Sequence, residues 1–326
     1  MSITAVLFAS GRGERLRPLS DLMAKPALPI LDVPLAAFGL TRLVATLPTV
    51  VMNLRHLPQS VTGALTAYVP PGARLETILE TPEAYGTGGT LAALRDRVAE
   101  RVLTLNADLL TDLEPADLLD AHAASGAPAT VAVTEVSTGA DFVLEGDRAA
   151  GFLDRRTGGG GAGGRFLGMA VFEREVLYRL PESRPLGLGE TLLADLARAG
   201  ELAVYRHRGY ARDVGTVADY LAASLDLLAG RGPKPPGGAW PGDVAEVGGG
   251  RAYLGPGASA GAEALGPGAI LLAGSSAGPG CRIERSIVWP GEAVPAGRRL
   301  EGGIWAFRGA LIPPSATNVT QKGSSG

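Results

Sequence analysis

An almost unbroken apolar run, Ile3-Thr4-Ala5-Val6-Leu7-Phe8, opens the chain and stops at the turn-forming stretch Ser10-Gly11-Arg12-Gly13. A strand with one wet face alternates apolar and polar residues. A continuous run instead fits a strand buried on both faces, as occurs where helices cover both sides of a sheet. Runs of the same kind recur at Thr49-Val50-Val51-Met52, Val102-Leu103-Thr104-Leu105, Thr130-Val131-Ala132-Val133-Thr134, Phe142-Val143-Leu144 and Met169-Ala170-Val171-Phe172. Helix-length periodic stretches lie among them near 36–47, 88–99, 114–124 and 190–199. Alternation of strand and helix predicts an α/β domain with a mostly parallel sheet, ending near residue 229.

Composition removes several function classes. At 326 residues the chain has room for about two domains. With 46% hydrophobic and 19% charged residues it is not a disordered polymer. Thirty basic residues against 33 acidic ones leave a net charge of −3, so no global positive field draws in nucleic acid. The single Cys281 forms no internal disulfide, and His56, His122 and His207 are too scattered for a zinc site. The opening reaches its first basic residue only at Arg12, unlike a secretory leader, and no apolar run approaches the roughly 18–20 residues of a membrane span. A cytoplasmic protein without membrane partners is expected.

The composition changes at Gly230. Arg231-Gly232-Pro233-Lys234-Pro235-Pro236-Gly237-Gly238 reads as a linker, placed at 230–248. Beyond it, Leu254-Gly255-Pro256-Gly257 and Leu265-Gly266-Pro267-Gly268, followed by Ile283, Val288 and Val294, hint at six-residue stepping. That rhythm over 249–312 resembles an all-β left-handed β-helix of hexapeptide repeats; the other reading is a loop-rich cap without regular coils. Residues 313–326 read as a disordered tail. Between Gly158 and Gly164, six of seven residues are glycine, a surface insert to which we attach no function.

The chemistry-bearing stretch follows the first strand: Gly11-Arg12-Gly13-Glu14-Arg15-Leu16-Arg17-Pro18, with Lys25-Pro26 further on. No Gly-Lys-Ser/Thr closes it, so it is not a P-loop, and Leu16 stands where a dinucleotide fingerprint needs its third glycine. What remains is a backbone nest, in which glycines let amides face an anion while Arg12, Arg15 and Lys25 supply positive charge. The alternative is a set of solvated loop charges.

The string Leu7-Phe8-Ala9-Ser10-Gly11-Arg12-Gly13-Glu14-Arg15-Leu16-Arg17-Pro18-Leu19 with Lys25-Pro26 resembles the signature of the sugar-1-phosphate nucleotidyltransferases. Asn53-Leu54-Arg55-His56-Leu57, Tyr85-Gly86-Thr87-Gly88-Gly89, Asn106-Ala107-Asp108 and Asp213-Val214-Gly215-Thr216 resemble that family's later blocks, in the family's order. The resemblance covers residues 3 to about 225 and is closest to mannose-1-phosphate guanylyltransferase-like members that append a left-handed β-helix. It implies a Rossmann-like catalytic domain over 1–229. It also implies in-line attack of a sugar-1-phosphate on the α-phosphate of a nucleoside triphosphate, with release of pyrophosphate.

By the same resemblance, Arg15 would stabilise the departing pyrophosphate and Lys25 would bridge the α-phosphate and the attacking phosphate. Ala9, Gly11, Arg12, Gly13, Thr81, Gly86 and Gly88 would bind the nucleotide, with Gly89 and Glu83 beside them. Asn106, Arg155 and Gly168 would bind the sugar phosphate, and Asp108 with Asp213 would hold Mg²⁺, whose hard charge suits carboxylate oxygens. His56 is expected to be a structural imidazole near the nucleotide, since an already ionised phosphate needs no base.

The chain departs from the family pattern at Phe152-Leu153-Asp154-Arg155-Arg156, where Arg155 replaces a lysine and Asp154 a glutamate. Two functions follow. One is an active transferase, with GTP and mannose-1-phosphate as the preferred pair and uridylyl or thymidylyl transfer to another hexose-1-phosphate as a variant. The other is a regulatory relative that binds nucleotide-sugars without turnover. No histidine lies beyond His207, which argues against acyl transfer by the C-terminal region. That region is expected to mediate homo-oligomer contacts.

Overall fold

The computed structural model describes residues 2–153 and 161–315; Asp154, Arg155 and residues 316–326 lie outside the described residues. The chain divides into two compact units, one made of Met1–Arg12 and Ala36–Asp213, the other of Gly13–Leu35 and Val214–Gly326.

In chain order the first strands are β1 (Ile3–Phe8), β2 (Pro29–Ile30), β3 (Val33–Pro34), β4 (Thr49–Leu54), β5 (Arg74–Leu79) and β6 (Arg101–Asn106). They are followed by β7 (Leu109–Thr111), β8 (Ala129–Val136), β9 (Phe142–Glu145), β10 (Arg148–Phe152), β11 (Gly163–Glu173), β12 (Leu202–Arg206) and β13 (Ala211–Asp213). Nine of these form the sheet of the first unit, in the order β5-β4-β1-β6-β11-β8-β12-β10-β9. β1 and β6 are buried on consecutive residues, as their apolar runs predict. The core between sheet and helices gathers Val6, Val102, Val131, Phe172, Leu192 and Leu196.

The sheet is mixed, which corrects the mostly parallel expectation. β5, β4, β1 and β6 run parallel, but β11 is antiparallel to both β6 and β8, and β10 is antiparallel to β12 and β9. For β9 and β10 the physical reason is connection length: they are joined by a two-residue turn through Gly146 at φ 54°, and a short turn can only reverse direction. Strand β5 escaped the pattern reading because it is an edge strand with mostly exposed residues.

Helix Leu35–Thr46 lies close against β6, where a Cβ on Gly39 would come within 2.8 Å of Leu105 Cδ2. Helix Pro115–Ser125 starts on a proline and ends at Gly126 in the left-handed region, the usual asymmetry of start and stop. The helix expected near 88–99 runs over Gly86–Leu94, and the one near 190–199 opens as a π-turn over Gly189–Leu193 before Ala194–Arg198. Among the described residues no helix is long and apolar enough to cross a membrane.

The second unit contains β2 and β3, helix Val217–Leu228 and the strands from β14 (Asp243–Val247) onward. These are β15 (Gly250–Leu254), β16 (Ala269–Leu271), β17 (Ser276–Ala277), β18 (Arg282–Glu284) and β19 (Ser286–Val288), then β20 (Ala293–Val294), β21 (Arg299–Glu301), β22 (Ile304–Ala306) and β23 (Ala310–Ile312). Parallel pairing puts Tyr253 beside Ile270, Ile270 beside Ile287 and Ile287 beside Ile304, so one turn of coil takes 17 residues. β17 with β20 and β18 with β21 form two further parallel faces at the same step. The coil core packs Leu271, Ile283, Val288, Val294, Leu300 and the buried Cys281. Its corners repeat the left-handed backbone at Gly257, Gly274, Gly291 and Arg308. This regular coil sets aside the loop-rich alternative, and antiparallel strands β14 and β23 flank its longest face.

Helix Val217–Leu228 begins on a capping box, the Thr216 hydroxyl accepting from the Asp219 amide while Asp219 accepts from the Thr216 amide. The β2–β3 hairpin turns through Leu31 and Asp32 at φ 48° and 61°, a left-handed pair without glycine. That conformation costs roughly 1–2 kcal/mol per residue.

Candidate active site

The parallel register brings the carboxyl ends of four strands together, with Phe8 beside Asn53 and Asn106, and Leu54 beside Leu79. Open α/β sheets bind ligands at these ends. Here the Ala9 amide donates to Asn53 Oδ1 at 2.7 Å, and Asn53 Nδ2 lies 2.7 Å from Glu80 Oε1, 3.0 Å from Ser10 Oγ and 3.0 Å from Thr90 Oγ1. Glu80 also accepts from the Thr90 hydroxyl at 2.6 Å and the Tyr85 amide at 2.9 Å. Asn53 and Glu80 are only 1% and 2% exposed and Thr90 is fully buried, so each needs these partners. The network fastens the exit of β1 to the ends of β4 and β5 and to helix Gly86–Leu94.

Beside it lies a cavity of about 310 Å³ lined by Arg12, Arg55, His56, Glu80 and Thr81. Two of the expected nucleotide-binding residues, Arg12 and Thr81, thus share one cavity, and His56 adjoins it. Gly11 is exposed, and a Cβ there would meet nothing within 4 Å. The close approach permitted by Gly86 and Gly88 is to the chain itself: a Cβ on Gly86 would lie 2.4 Å from the Leu186 carbonyl oxygen, which accepts from the Gly88 amide at 2.9 Å. Thr87 accepts from the Leu188 amide, and the Arg184 guanidinium stacks on the Tyr85 ring 3.6 Å from its centroid.

The expected sugar-phosphate residues Asn106 and Gly168 are brought together. Gly168 sits at φ 82° in the irregular stretch of β11 between Phe166 and Ala170, and a Cβ would strike Asn106 Nδ2 at 2.5 Å. The third, Arg155, lies outside the described residues. The segments bearing Asp108 and Asp213 are brought together, because Asp213 pairs with Leu109, the residue after Asp108. Among the described residues no group of three or more His, Cys, Asp or Glu could hold a metal ion. Mg²⁺ takes only one or two carboxylates and completes its shell with phosphates and water, so its chemistry requires no third protein ligand here.

In the second unit, Gly13 adopts φ 66°, and a Cβ there would meet Lys25 Cβ at 3.1 Å and Ser20 Cβ at 3.3 Å. Its carbonyl accepts from the Ser20 hydroxyl at 2.8 Å, and Lys25 is 9% exposed while Arg15 is exposed. Glycine at 13 is therefore demanded by the fold.

Sequence reasoning passed over Glu80, Thr90 and Arg55 as functional residues. A carboxylate directly before Thr81 was the available signal for Glu80. Its bond to Asn53 depends on the β4–β5 register, which local pattern does not specify.

Residues 4–142 match the nucleotidyl transferase family. Over 307 residues the chain is 29% identical to the mannose-1-phosphate guanylyltransferase of Mycobacterium tuberculosis, covering 92% of this chain and 83% of that one. It is also 29% identical over 231 residues to the N-acetylmuramate alpha-1-phosphate uridylyltransferase of Neisseria meningitidis, covering 65% of this chain and 93% of that one. A putative glucose-1-phosphate thymidylyltransferase from Bacillus anthracis shares the fold, with a TM-score of 0.59 at 16% identity over 68% of this chain and 94% of its own. Residues 4–142 thus carry the nucleotidyl transferase match, and over most of its length the chain is similar to sugar-1-phosphate nucleotidyltransferases.

Proposed function

We propose that the chain transfers a nucleotidyl group from GTP to mannose-1-phosphate, giving GDP-mannose and pyrophosphate. The observation that carries the reading is the pairing of Asp213 against Leu109, which brings the two aspartate-bearing segments from distant parts of the chain together at the strand ends. The name of the mycobacterial relative supports the choice of base and sugar, and that of the neisserial one motivates uridylyl transfer as the second reading.

In this mechanism an oxygen of the sugar phosphate attacks the α-phosphorus in line, and the bond to the leaving pyrophosphate breaks. The amides of Gly11 and Gly13, with Arg12 and Arg15, bind the triphosphate and take up charge on the departing pyrophosphate. Lys25 bridges the α-phosphate and the attacking phosphate. Ala9, Thr81, Gly86 and Gly88 border the nucleoside, while Asn106, Gly168 and Arg155 hold the sugar phosphate. Magnesium held by Asp108 and Asp213 would neutralise phosphate charge and orient the α-phosphate. Gly11 supports this division of roles, since the protein's own packing gives no reason for glycine there.

The test is pyrophosphate release with Mg²⁺ across the common NTPs and dTTP against mannose-, glucose-, N-acetylglucosamine- and N-acetylmuramic acid-1-phosphate. Asp108→Ala serves as control and is expected to lose about 10²- to 10³-fold in rate. Silence from every pair, with an NDP-sugar still raising the Tm, would replace the enzyme by a nucleotide-sugar-binding relative.

The same proposal includes a catalytic region at 1–229, a left-handed sense for the coil of 249–312, and use of that coil in a homo-oligomer. Val244 and Leu311, exposed on the flanking strands β14 and β23, supply apolar surface for pairing. A monomer by light scattering would overturn the last point.

A further inference from the structure

The segment bearing Arg15 and Lys25 belongs to the same compact unit as the C-terminal coil, although first-unit residues flank it in the chain. The reason is a set of bonds just past Lys25. The Leu28 amide returns to the Lys25 carbonyl, and the Leu35 amide closes the hairpin on the Leu28 carbonyl. The Tyr220 hydroxyl, from the helix that follows Asp213, donates to the Pro29 carbonyl. At the tip, Asp32 Oδ1 accepts from the Ala273 amide at 2.9 Å, and the Tyr253 hydroxyl shares its hydrogen between Asp32 Oδ2 at 3.0 Å and the Leu31 carbonyl at 3.1 Å. Gly255 makes room: a Cβ there would lie 2.1 Å from Asp32 Oδ2.

Taking the transfer reaction above as given, the geometry points to Asp32 as a positioning residue. Its carboxylate, gripped by Tyr253 and Ala273 of the coil, fixes the backbone that carries Lys25 and Arg15. Three features support this. Leu31 and Asp32 both sit in the left-handed region, where leucine has no local reason to be, so something outside the turn holds them. The carboxylate is half-buried, and burial raises it above its usual 3.8 against the opposing bonds from Ala273 and Tyr253, so the contact bears a desolvation cost. Both of its oxygens bond to coil residues, so movement of the coil surface is felt at the hairpin. The coil would then act as the jig for the catalytic loop, besides any role in assembly.

The test uses the full chain with Asp32→Ala, Asp32→Asn and Tyr253→Phe, the last removing one hydroxyl and keeping the ring. Amide hydrogen exchange is followed on peptides spanning 13–35 and on coil peptides spanning 250–306, beside kcat and KM for the pair that wild type turns over. In Asp32→Ala, exchange over 13–35 is expected to rise about tenfold while the coil stays protected. Its kcat should fall about 10- to 100-fold with KM changed less than about threefold, since misplacement of a reacting group acts on turnover. Asp32→Asn, which keeps one accepting oxygen, and Tyr253→Phe should fall between. Unchanged exchange over 13–35, or unchanged kcat in Asp32→Ala, overturns the proposal. An inactive wild type overturns the transfer reaction instead, and exchange alone then judges the clamp.

Discussion

At the carboxyl ends of the parallel strands Glu80 is held by an amide, a hydroxyl and a backbone N–H, whereas at the opposite end of β6 Glu173 is held by Arg101 and His122. Both networks belong to one unit and both hold a carboxylate, buried at Glu80 and partly exposed at Glu173, yet they join different things. The first ties together the ends of β1, β4 and β5 with helix Gly86–Leu94, the segments that carry the recognisable motifs. The second ties helix Pro115–Ser125 to β6 and β11, because His122 bonds Glu173 and Thr130 while Arg101 reaches Glu173 at 2.6 Å. Buried polarity at the strand carboxyl ends places loops for chemistry. At the amino ends it locks a helix onto the sheet.

Breaking each network separates these roles. The largest effect is expected for Glu80→Ala. It would remove the acceptor shared by Asn53, Thr90 and the Tyr85 amide, costing about 1–3 kcal/mol in stability. Loosening of Ala9 and Ser10 would lower kcat/KM about 100-fold. Chemical denaturation beside steady-state kinetics checks both, and an active Glu80→Ala would remove the network from the site. Next, His122→Ala should cost about 1–3 kcal/mol, as Thr130 and Glu173 lose a buried partner, with kcat/KM within about twofold of wild type. A large catalytic loss in that variant would erase the contrast.

The smallest effect concerns pH. Burial lowers His122 below its usual 6.5, only partly opposed by Glu173. The unfolded chain therefore takes up that proton first as pH falls. The associated stability is present above pH 6.5 and is lost as pH drops below it. For Glu173 burial raises the carboxyl, but bonds from Arg101 and His122 outweigh it and hold the group below 4.5, so its contribution persists until pH falls under that value. Tm measured from pH 7.5 to 5.5 should therefore fall less steeply in His122→Gln than in wild type. Equal slopes would show that His122 is not buried as a neutral ring.

Legibility in the sequence followed the range of the forces involved. The doubly buried β1 and β6 were readable because burial on both faces writes a continuous apolar run. The ordered blocks from Ser10 to Asp213 were readable because each role demands particular residue types. Strand β5 and the reversal at β11 were not, since an edge strand needs few apolar residues and strand direction depends on partners far away. The 17-residue coil was half legible, its beads visible in Leu254 and Leu265, while its step is set by parallel pairing between residues 17 apart, which a six-residue rhythm does not reveal.

By itself the sequence determined the class of chemistry: glycines beside arginines, Lys25, and two aspartates in ordered blocks, with no thiol or histidine set to compete. Ordered blocks suffice there, because the resemblance to a known family rests on residue identity and spacing along the chain. Only the tertiary structure decided which glycine serves packing and which does not, with Gly13 pressed on Lys25 and Gly11 facing open space. It alone decided that Glu80 answers Asn53, that Asp213 stands next to the Asp108 turn, and that a Leu31-Asp32 hairpin is bolted to the coil. Those are contacts between residues remote in sequence, and they arise from strand register and close packing, which local pattern does not encode.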